Sequence, residues 1–187
     1  MPIEKRLTAF IEAPTLQTER LRLRHHRHAD ITDCVFMWSD PEVTRYTIGE
    51  PSAPQRTWLR MLGYLGHWQL LGFGYWALEE KATGRYVGEC GFAEFRRGLH
   101  TSIDGLPELG WVVAPYAQGR GYATEALRAI VAWGDAHFAG LTTACIIQRA
   151  NRQSFRVAEK LGYCQQEAAE SARRPEVVLL RKPALGG

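Results

Sequence analysis

From Arg20 to Arg24 arginine and leucine alternate one for one, the two-residue period of a strand with a single buried face. Asp30 to Trp38 has the spacing of a short helix, with Asp30 in the capping position. Ser52 and Gln55 form a capping-box pair with Pro54 just inside, so a longer helix opens there and runs to about Leu70. Phe73 to Leu78 and Arg85 to Phe95 read as strands around a turn at Thr83-Gly84. Arg96 to Pro107 is polar and glycine-bearing, the composition of a mobile loop, and Leu109 to Ala114 is another apolar strand. Beyond it, Ala123, Leu127, Ile130, Val131, Gly134 and Phe138 fall on one helical stripe, as in a helix packed on a sheet. A β-like run from Leu141 to Ile147, a helix after Asn151, and strands near 163–167 and 177–181 complete the chain. Strands mixed with helices on both sides predict an α/β sandwich, with no repeat or linker to divide it.

The join between the Leu109–Ala114 strand and the striped helix carries the clearest chemistry. Its residues are Ala-Pro115-Tyr-Ala-Gln118-Gly119-Arg120-Gly121-Tyr122-Ala123-Thr124. Two glycines let successive N–H groups converge without Cβ atoms between them, and the helix adds the unpaired N–H groups and partial positive charge of its first turn. Such a corner suits a phosphate or diphosphate. A Walker loop would need Gly-Lys-Ser/Thr, and no lysine follows Gly121. A dinucleotide fingerprint would need a third glycine where Thr124 stands and a carboxylate near Leu141, and has neither. The pattern Gln/Arg-x-x-Gly-x-Gly/Ala fits at Gln118, Gly121 and Ala123. Taken alone, the same residues would also make an ordinary glycine turn.

This pattern resembles the acyl-CoA-binding motif of the GNAT superfamily of N-acetyltransferases. Asn151-x-x-Ser154, opening a helix that closes on Glu-Lys-Leu-Gly162-Tyr163, is similar to a second hallmark of that family. Thr18-Glu-Arg-Leu-Arg-Leu-Arg24, Asp40-Pro-Glu-Val-Thr-Arg-Tyr46 and Gly84-Arg-Tyr-Val-Gly-Glu-Cys-Gly91 resemble segments of its ribosomal-protein N-terminal acetyltransferase-like branch. The likeness runs in order from about Thr18 to Lys182 and implies an acetyltransferase domain over 18–183, with 1–17 and 184–187 as terminal extensions.

The resemblance implies a GNAT fold: one mixed, mostly antiparallel sheet splayed between its fourth and fifth strands, with helices on both faces. It implies acetyl-CoA as acyl donor, a primary amine as acceptor, and direct transfer with no covalent enzyme intermediate. Main chain near Trp111, Val112 and Val113 would pair with the pantetheine arm. Amides of Gly119, Arg120, Gly121, Tyr122, Ala123 and Thr124, with Gln118, would hold the diphosphate, and Asn151 would touch the pantetheine or cap its helix. Arg120 would either reach a phosphate or stand free in solvent.

Many relatives protonate the leaving thiolate with a Tyr seven positions past the Asn, where this chain has Ala158. Ser154 is the substitute, or else a plain first-turn serine. Glu108, at the mouth of the strand before the glycine loop, and Glu89, on the strand before that, are the candidate general bases; His67 is a lesser one. A peptide α-amine of pKa about 8 asks less of a base than an alkyl amine near 10.4.

Composition narrows the remaining classes. A chain of 187 residues suffices for one well-cored domain, and 45% apolar with 23% charged residues argues against disorder. A net charge of +3 is too small to imply nucleic acid without a concentrated patch, and the basic run from Arg20 to His28 reads as a solvated edge. The four cysteines are scattered without Cys-x-x-Cys, which implies neither a metal site nor a disulfide framework, and Cys90 and Cys145 suit a core. With no apolar leader or membrane-length run, the expected place is the cytoplasm. Trp38, Tyr46, Trp58, Trp68, Phe73, Tyr75 and Trp76 crowd the first half, most for the core and one or two for an amine pocket. An exposed strand edge would offer a surface for a homodimer. The alternative from another class is a catalytically silent acyl-CoA sensor, consistent with the missing Tyr.

The loop reading predicts that Gly121→Asp abolishes coenzyme A binding in calorimetry while circular dichroism stays that of the folded chain. Undiminished affinity would remove the loop from the cofactor site.

Overall fold

Leu21 and Leu23 are fully buried and Arg22 is exposed, so the arginine-leucine alternation becomes a strand with one face on the core. The computed structural model describes residues 12–97, 103–138, 140–165 and the backbone of 177–182. In chain order its elements are β1 (Leu16–Gln17), β2 (Leu21–Arg24), α1 (Ile31–Ser39), α2 (Pro41–Thr44), α3 (Pro54–Leu71), β3 (Tyr75–Glu80) and β4 (Tyr86–Ala93). They continue with β5 (Glu108–Val113), α4 (Tyr122–His137), β6 (Thr143–Gln148), α5 (Arg152–Lys160), β7 (Cys164–Gln165) and β8 (Val177–Lys182). One sheet takes them in the order β1-β2-β3-β4-β5-β6-β8-β7. Every pairing is antiparallel except β5 with β6.

Each face of the sheet has its own helical layer. Leu127 and Ile130 of α4 pack with Leu21, Leu23, Trp76, Leu78 and Phe92, continuing to Ala158 and Tyr163 beside α5. On the other face Met37 and Trp38 of α1 and Met61 of α3 cover Ala77, Tyr86 and Val112. An irregularity in the β3–β4 register lies between Leu78 and Glu79, opposite Gly88. Gly88 adopts φ +154°, and a Cβ there would stand 2.4 Å from the Val112 carbonyl oxygen. The shift brings Tyr86 and Glu89, three residues apart, onto one face, where the Tyr86 hydroxyl donates to Glu89 at 2.7 Å.

The parallel junction is short. β5 and β6 pair only at Glu108 with Ala144, where the Ala144 N–H donates to the Pro107 carbonyl at 3.0 Å. Past that point the strands part, and β5 runs on to Val113 beside a gap. The expected splay is therefore present; it falls between the fifth and sixth strands because the two-residue β1 adds one to the count.

Several local expectations change. Asp30 precedes α1 but makes no side-chain cap bond. Its carboxylate instead accepts both terminal nitrogens of Arg24 at 2.8 Å and the Arg27 N–H at 2.7 Å. The Ser52–Gln55 box is absent as well: Ala53 is the N-cap of α3 with Pro54 at its first position, and the Ser52 hydroxyl accepts from Thr57. The basic run is mostly the expected solvated edge, with Arg20, Arg22, Arg27 and His28 exposed, but Arg24 and His26 are buried. Arg24 Nε donates to Glu79 at 2.7 Å, and Arg22 meets the other Glu79 oxygen at 2.6 Å. Alternation gave the faces correctly, but the carboxylates of Asp30 and Glu79 hold the Arg24 head inward. Part of the Arg96–Pro107 loop lies outside the described residues, as do the end of the strand expected near 163–167, residues 1–11 of the N-terminal extension and the whole of 184–187.

Burial opposes ionisation of Asp30 and Glu79, but the Arg24 hydrogen bonds and charge outweigh it and hold both carboxyls below their usual range. Arg24→Met is therefore expected to lower the unfolding free energy in urea by about 3–5 kcal/mol, because it strips Asp30 of its charged partner and leaves Glu79 with Arg22 alone. In the wild-type chain their contribution is complete above the unfolded values of about 3.9 and 4.3, and it is lost as pH falls through the lower folded values. Urea melts across that acid range should show the dependence in the wild type and a flatter one in Arg24→Met.

Candidate active site

The gap between β5 and β6 widens into a cleft of about 560 Å³. β5 and the glycine loop form one wall, the start of α5 a second, and α2 with the residues after it a third. In the loop, Gly119 and Gly121 adopt φ +73° and +80°, a backbone that L side chains rarely take, and α4 then begins at Tyr122. The two reversals turn the peptides so that none of the six N–H groups from Gly119 to Thr124 meets an acceptor among the described residues. A sixteen-residue helix stands behind them, adding the positive end of its dipole. Five of these six residues line the cavity, and their free donors are suited to an anion.

The register of β5 decides which of its main-chain groups face the gap. Opposed residues in an antiparallel pair alternate between exchanging both hydrogen bonds and exchanging none. Ala114 donates to Val87 at 2.9 Å, and Phe92 donates away from β5, to Gly74 at 3.2 Å. Val112, opposite Glu89, is therefore bonded to β4. Trp111 and Val113 turn their N–H and C=O groups to the gap. Val112 contributes only its side chain to the cleft, which corrects its expected main-chain role. The Gln118 side chain closes this end by donating to the Val113 carbonyl at 3.2 Å.

Across the cleft the Asn151 side chain accepts the Ser154 N–H at 3.1 Å and caps α5. Its amide nitrogen and the Ser154 hydroxyl have no partner among the described residues, and both residues line the cleft. Ala158 is fully buried, with Val157 beside it on the wall. The third wall escaped the sequence reading except for Tyr46. Glu42, Val43, Arg45 and Thr47 also line it. The available signal was Asp40-Pro41, which opens α2 by accepting the Glu42 N–H at 2.8 Å.

Three expected site residues are placed elsewhere. The Arg120 guanidinium pairs with Glu80 at 2.8 Å over the Tyr122 ring, facing a second hollow on the far side of the loop. Glu108 is buried at the root of β5, and both its oxygens are held by Arg97 at 2.8–3.1 Å. Glu89 is fully buried beneath the α1/α3 layer. It accepts from the Trp38 indole at 2.9 Å and from the Tyr64 and Tyr86 hydroxyls at 2.7 Å. The His26 ring lies 3.5 Å away, an electrostatic contact without hydrogen-bond geometry. Burial pushes the Glu89 carboxyl up, but His26, Tyr64 and Tyr86 bring it below the ordinary range. Neither carboxylate lines the cleft, and every oxygen of both accepts at least one hydrogen bond from the protein. His67 is tied to the Gly63 and Glu94 carbonyls. Among the described residues no group of three or more His, Cys, Asp or Glu could hold a metal, and no helix is long and apolar enough to cross a membrane.

Residues 20–164 match the model of the acetyltransferase (GNAT) domain. The uncharacterized protein YkkB of Bacillus subtilis is 31% identical over 174 residues, 89% of this chain and 95% of its own. The crystal structure of an acetyltransferase from Agrobacterium tumefaciens superposes with a TM-score of 0.78 at 29% identity, covering 94% of this chain and 97% of that one. A ribosomal L7/L12 α-N-protein acetyltransferase, RimL, in complex with coenzyme A superposes at 0.73 and 13% identity over 91% and 98%. That likeness concerns the fold.

With both carboxylates locked, Glu89→Gln and Glu108→Gln are each expected to cost about 1–3 kcal/mol in urea melts by leaving buried donors poorly paired. The shape of the pH–rate profile between about pH 6 and 9 should stay that of the wild type. Loss of its ascending limb in either variant would restore that residue as the base.

Proposed function

The chain belongs to the GNAT acetyltransferase family, and on that premise we propose that it transfers acetyl from acetyl-CoA directly to a primary amine, in the ribosomal-protein N-terminal acetyltransferase-like branch. The observation that carries the proposal is the run of N–H groups from Gly119 to Thr124, unpaired among the described residues, with five of its six residues on the cleft wall. They suit the diphosphate of coenzyme A. From there the pantetheine arm would lie along the free edge of β5, pairing with Trp111 and Val113 as an added strand does. Its amide at the Val113 end would take over the carbonyl that Gln118 holds, or use the Val113 N–H beside it.

The thioester then lies between β5 and the start of α5. The neutral amine attacks the carbonyl carbon, the N–C bond forms, the C–S bond breaks, and sulfur leaves as thiolate. Ser154, which lines the cleft with its hydroxyl unpartnered among the described residues, stabilises that thiolate by donating a hydrogen bond, in place of the Tyr that Ala158 replaces, and the sulfur takes its proton from water. The nitrogen's surplus proton passes to water in the cleft, since Glu89 and Glu108 are both occupied. This favours an acceptor with a low pKa, such as a peptide α-amine of about 8, over an alkyl amine. A small amine is the second acceptor class, bound against Tyr46 and Glu42 on the third wall. The four cysteines are free, in keeping with the cytoplasm as the proposed place.

Thiol release from acetyl-CoA across a panel of peptides and small amines tests the reading. Turnover is expected, with peptide α-amines ahead, and Ser154→Ala should lower kcat by about tenfold to a hundredfold with little change in coenzyme A affinity. Full turnover in Ser154→Ala would remove its role. Tight binding of coenzyme A with no turnover for any amine would instead make the chain an acyl-CoA sensor.

A further inference from the structure

The Thr18-Glu-Arg20 segment has no part in the chemistry above, yet its side chains converge on the glycine loop. Glu125, in the first turn of α4, accepts the Thr18 hydroxyl at 2.6 Å, the Arg20 N–H at 2.8 Å and Arg20 Nε at 2.7 Å. Arg20 Nη2 lies 2.7 Å from the same carboxylate. Its third nitrogen, Nη1, is thereby aimed at the loop, where it donates to the Arg120 carbonyl at 3.0 Å. Arg20 also stacks on the Tyr122 ring, 4.7 Å from its centroid.

A peptide unit is planar and trans, so its C=O and N–H point in opposite directions. With the Arg120 carbonyl drawn back to Arg20, the N–H of the same peptide, which belongs to Gly121, is turned the other way, into the cleft. The lining agrees: Gly119 and Gly121 belong to the cleft wall, whereas Arg120 belongs to the hollow behind it. Gly121, at φ +80°, has no side chain to hold that peptide in place. An external clasp does so.

We propose that Arg20, held by Glu125, is a positioning residue for the acyl-donor site: by gripping the Arg120 carbonyl it fixes the 120–121 peptide with the Gly121 N–H directed at the diphosphate. This rests on the proposed acetyl-CoA reading of the cleft. Arg20 itself would touch no substrate. Its effect should appear only with ligands that carry a diphosphate, which separates positioning from general loosening of the fold.

The test uses the full chain labelled with nitrogen-15, titrated with coenzyme A and, separately, with pantetheine, which has the same arm and no diphosphate. In the wild type coenzyme A should bind and move the Gly121 amide resonance downfield. Arg20→Ala should bind coenzyme A about tenfold or more weakly, the loss expected when a charge-held donor is removed from its place. Its Gly121 shift should largely vanish, and its pantetheine affinity should be unchanged. Arg20→Lys keeps the charge but lacks the fork that spans Glu125 and Arg120 together, and should behave the same way; it replaces the alanine variant if that one unfolds. Wild-type coenzyme A affinity with an intact Gly121 shift in the variants overturns the inference, as does an equal loss of coenzyme A and pantetheine. A wild-type chain that ignores coenzyme A overturns the reading of the cleft, and the inference with it.

Discussion

Six main-chain N–H groups from Gly119 to Thr124 have no carbonyl partner among the described residues, and five of the six residues line one cavity. Gly119 to Gly121 are exposed, so water satisfies these donors until a ligand replaces it, and their convergence at the start of α4 suits an anion that arrives from outside. The rest of the site follows from that corner. It fixes where the diphosphate of an acyl carrier would rest. The free edge of β5 gives the arm a direction, and the capped start of α5 brings Asn151 and Ser154 to its far end.

Keeping such a corner open requires that everything around it be held. Polar side chains do this on two sides. Behind the loop, Glu125, Arg20, Glu80 and Arg120 tie the start of α4 to the ends of β2 and β3, with both guanidinium groups against the Tyr122 ring and its hydroxyl bonded to Glu80. Beneath β4, Glu89 gathers two phenols and an indole, joining α1 and α3 to the sheet at the level of Val112. Both are networks in which each carboxylate has several donors, the condition under which a buried charge is tolerated. The carboxylates of these networks thus secure the walls of the cleft.

Features set by neighbours in the chain were legible from sequence. The glycine loop, the Asn151–Ser154 helix start and the α4 stripe depend on spacings of a few residues, and each stands where those spacings put it. Features set by distant partners were not. Whether Glu89 is a solvated base or a locked anchor depends on Tyr64 and Trp38, 25 and 51 positions away. Glu108 depends on Arg97, and Arg24 on Glu79, across turns whose geometry no local pattern fixes. Asp30 had the residue type of a cap, but the buried Arg24 outcompeted the helix for its oxygens. The choice of Trp111 and Val113 over Val112 came from the β4–β5 register, where a slip of one residue exchanges the two sets.

The central claim is that the β5–α4 corner holds the diphosphate of coenzyme A through its main chain. A crystal structure of the full chain grown with coenzyme A tests it most directly. The account predicts diphosphate oxygens within hydrogen-bonding distance of the N–H groups of Gly119 to Thr124, with the arm running along Trp111 and Val113. A cofactor bound elsewhere, with those N–H groups facing only water, would contradict it.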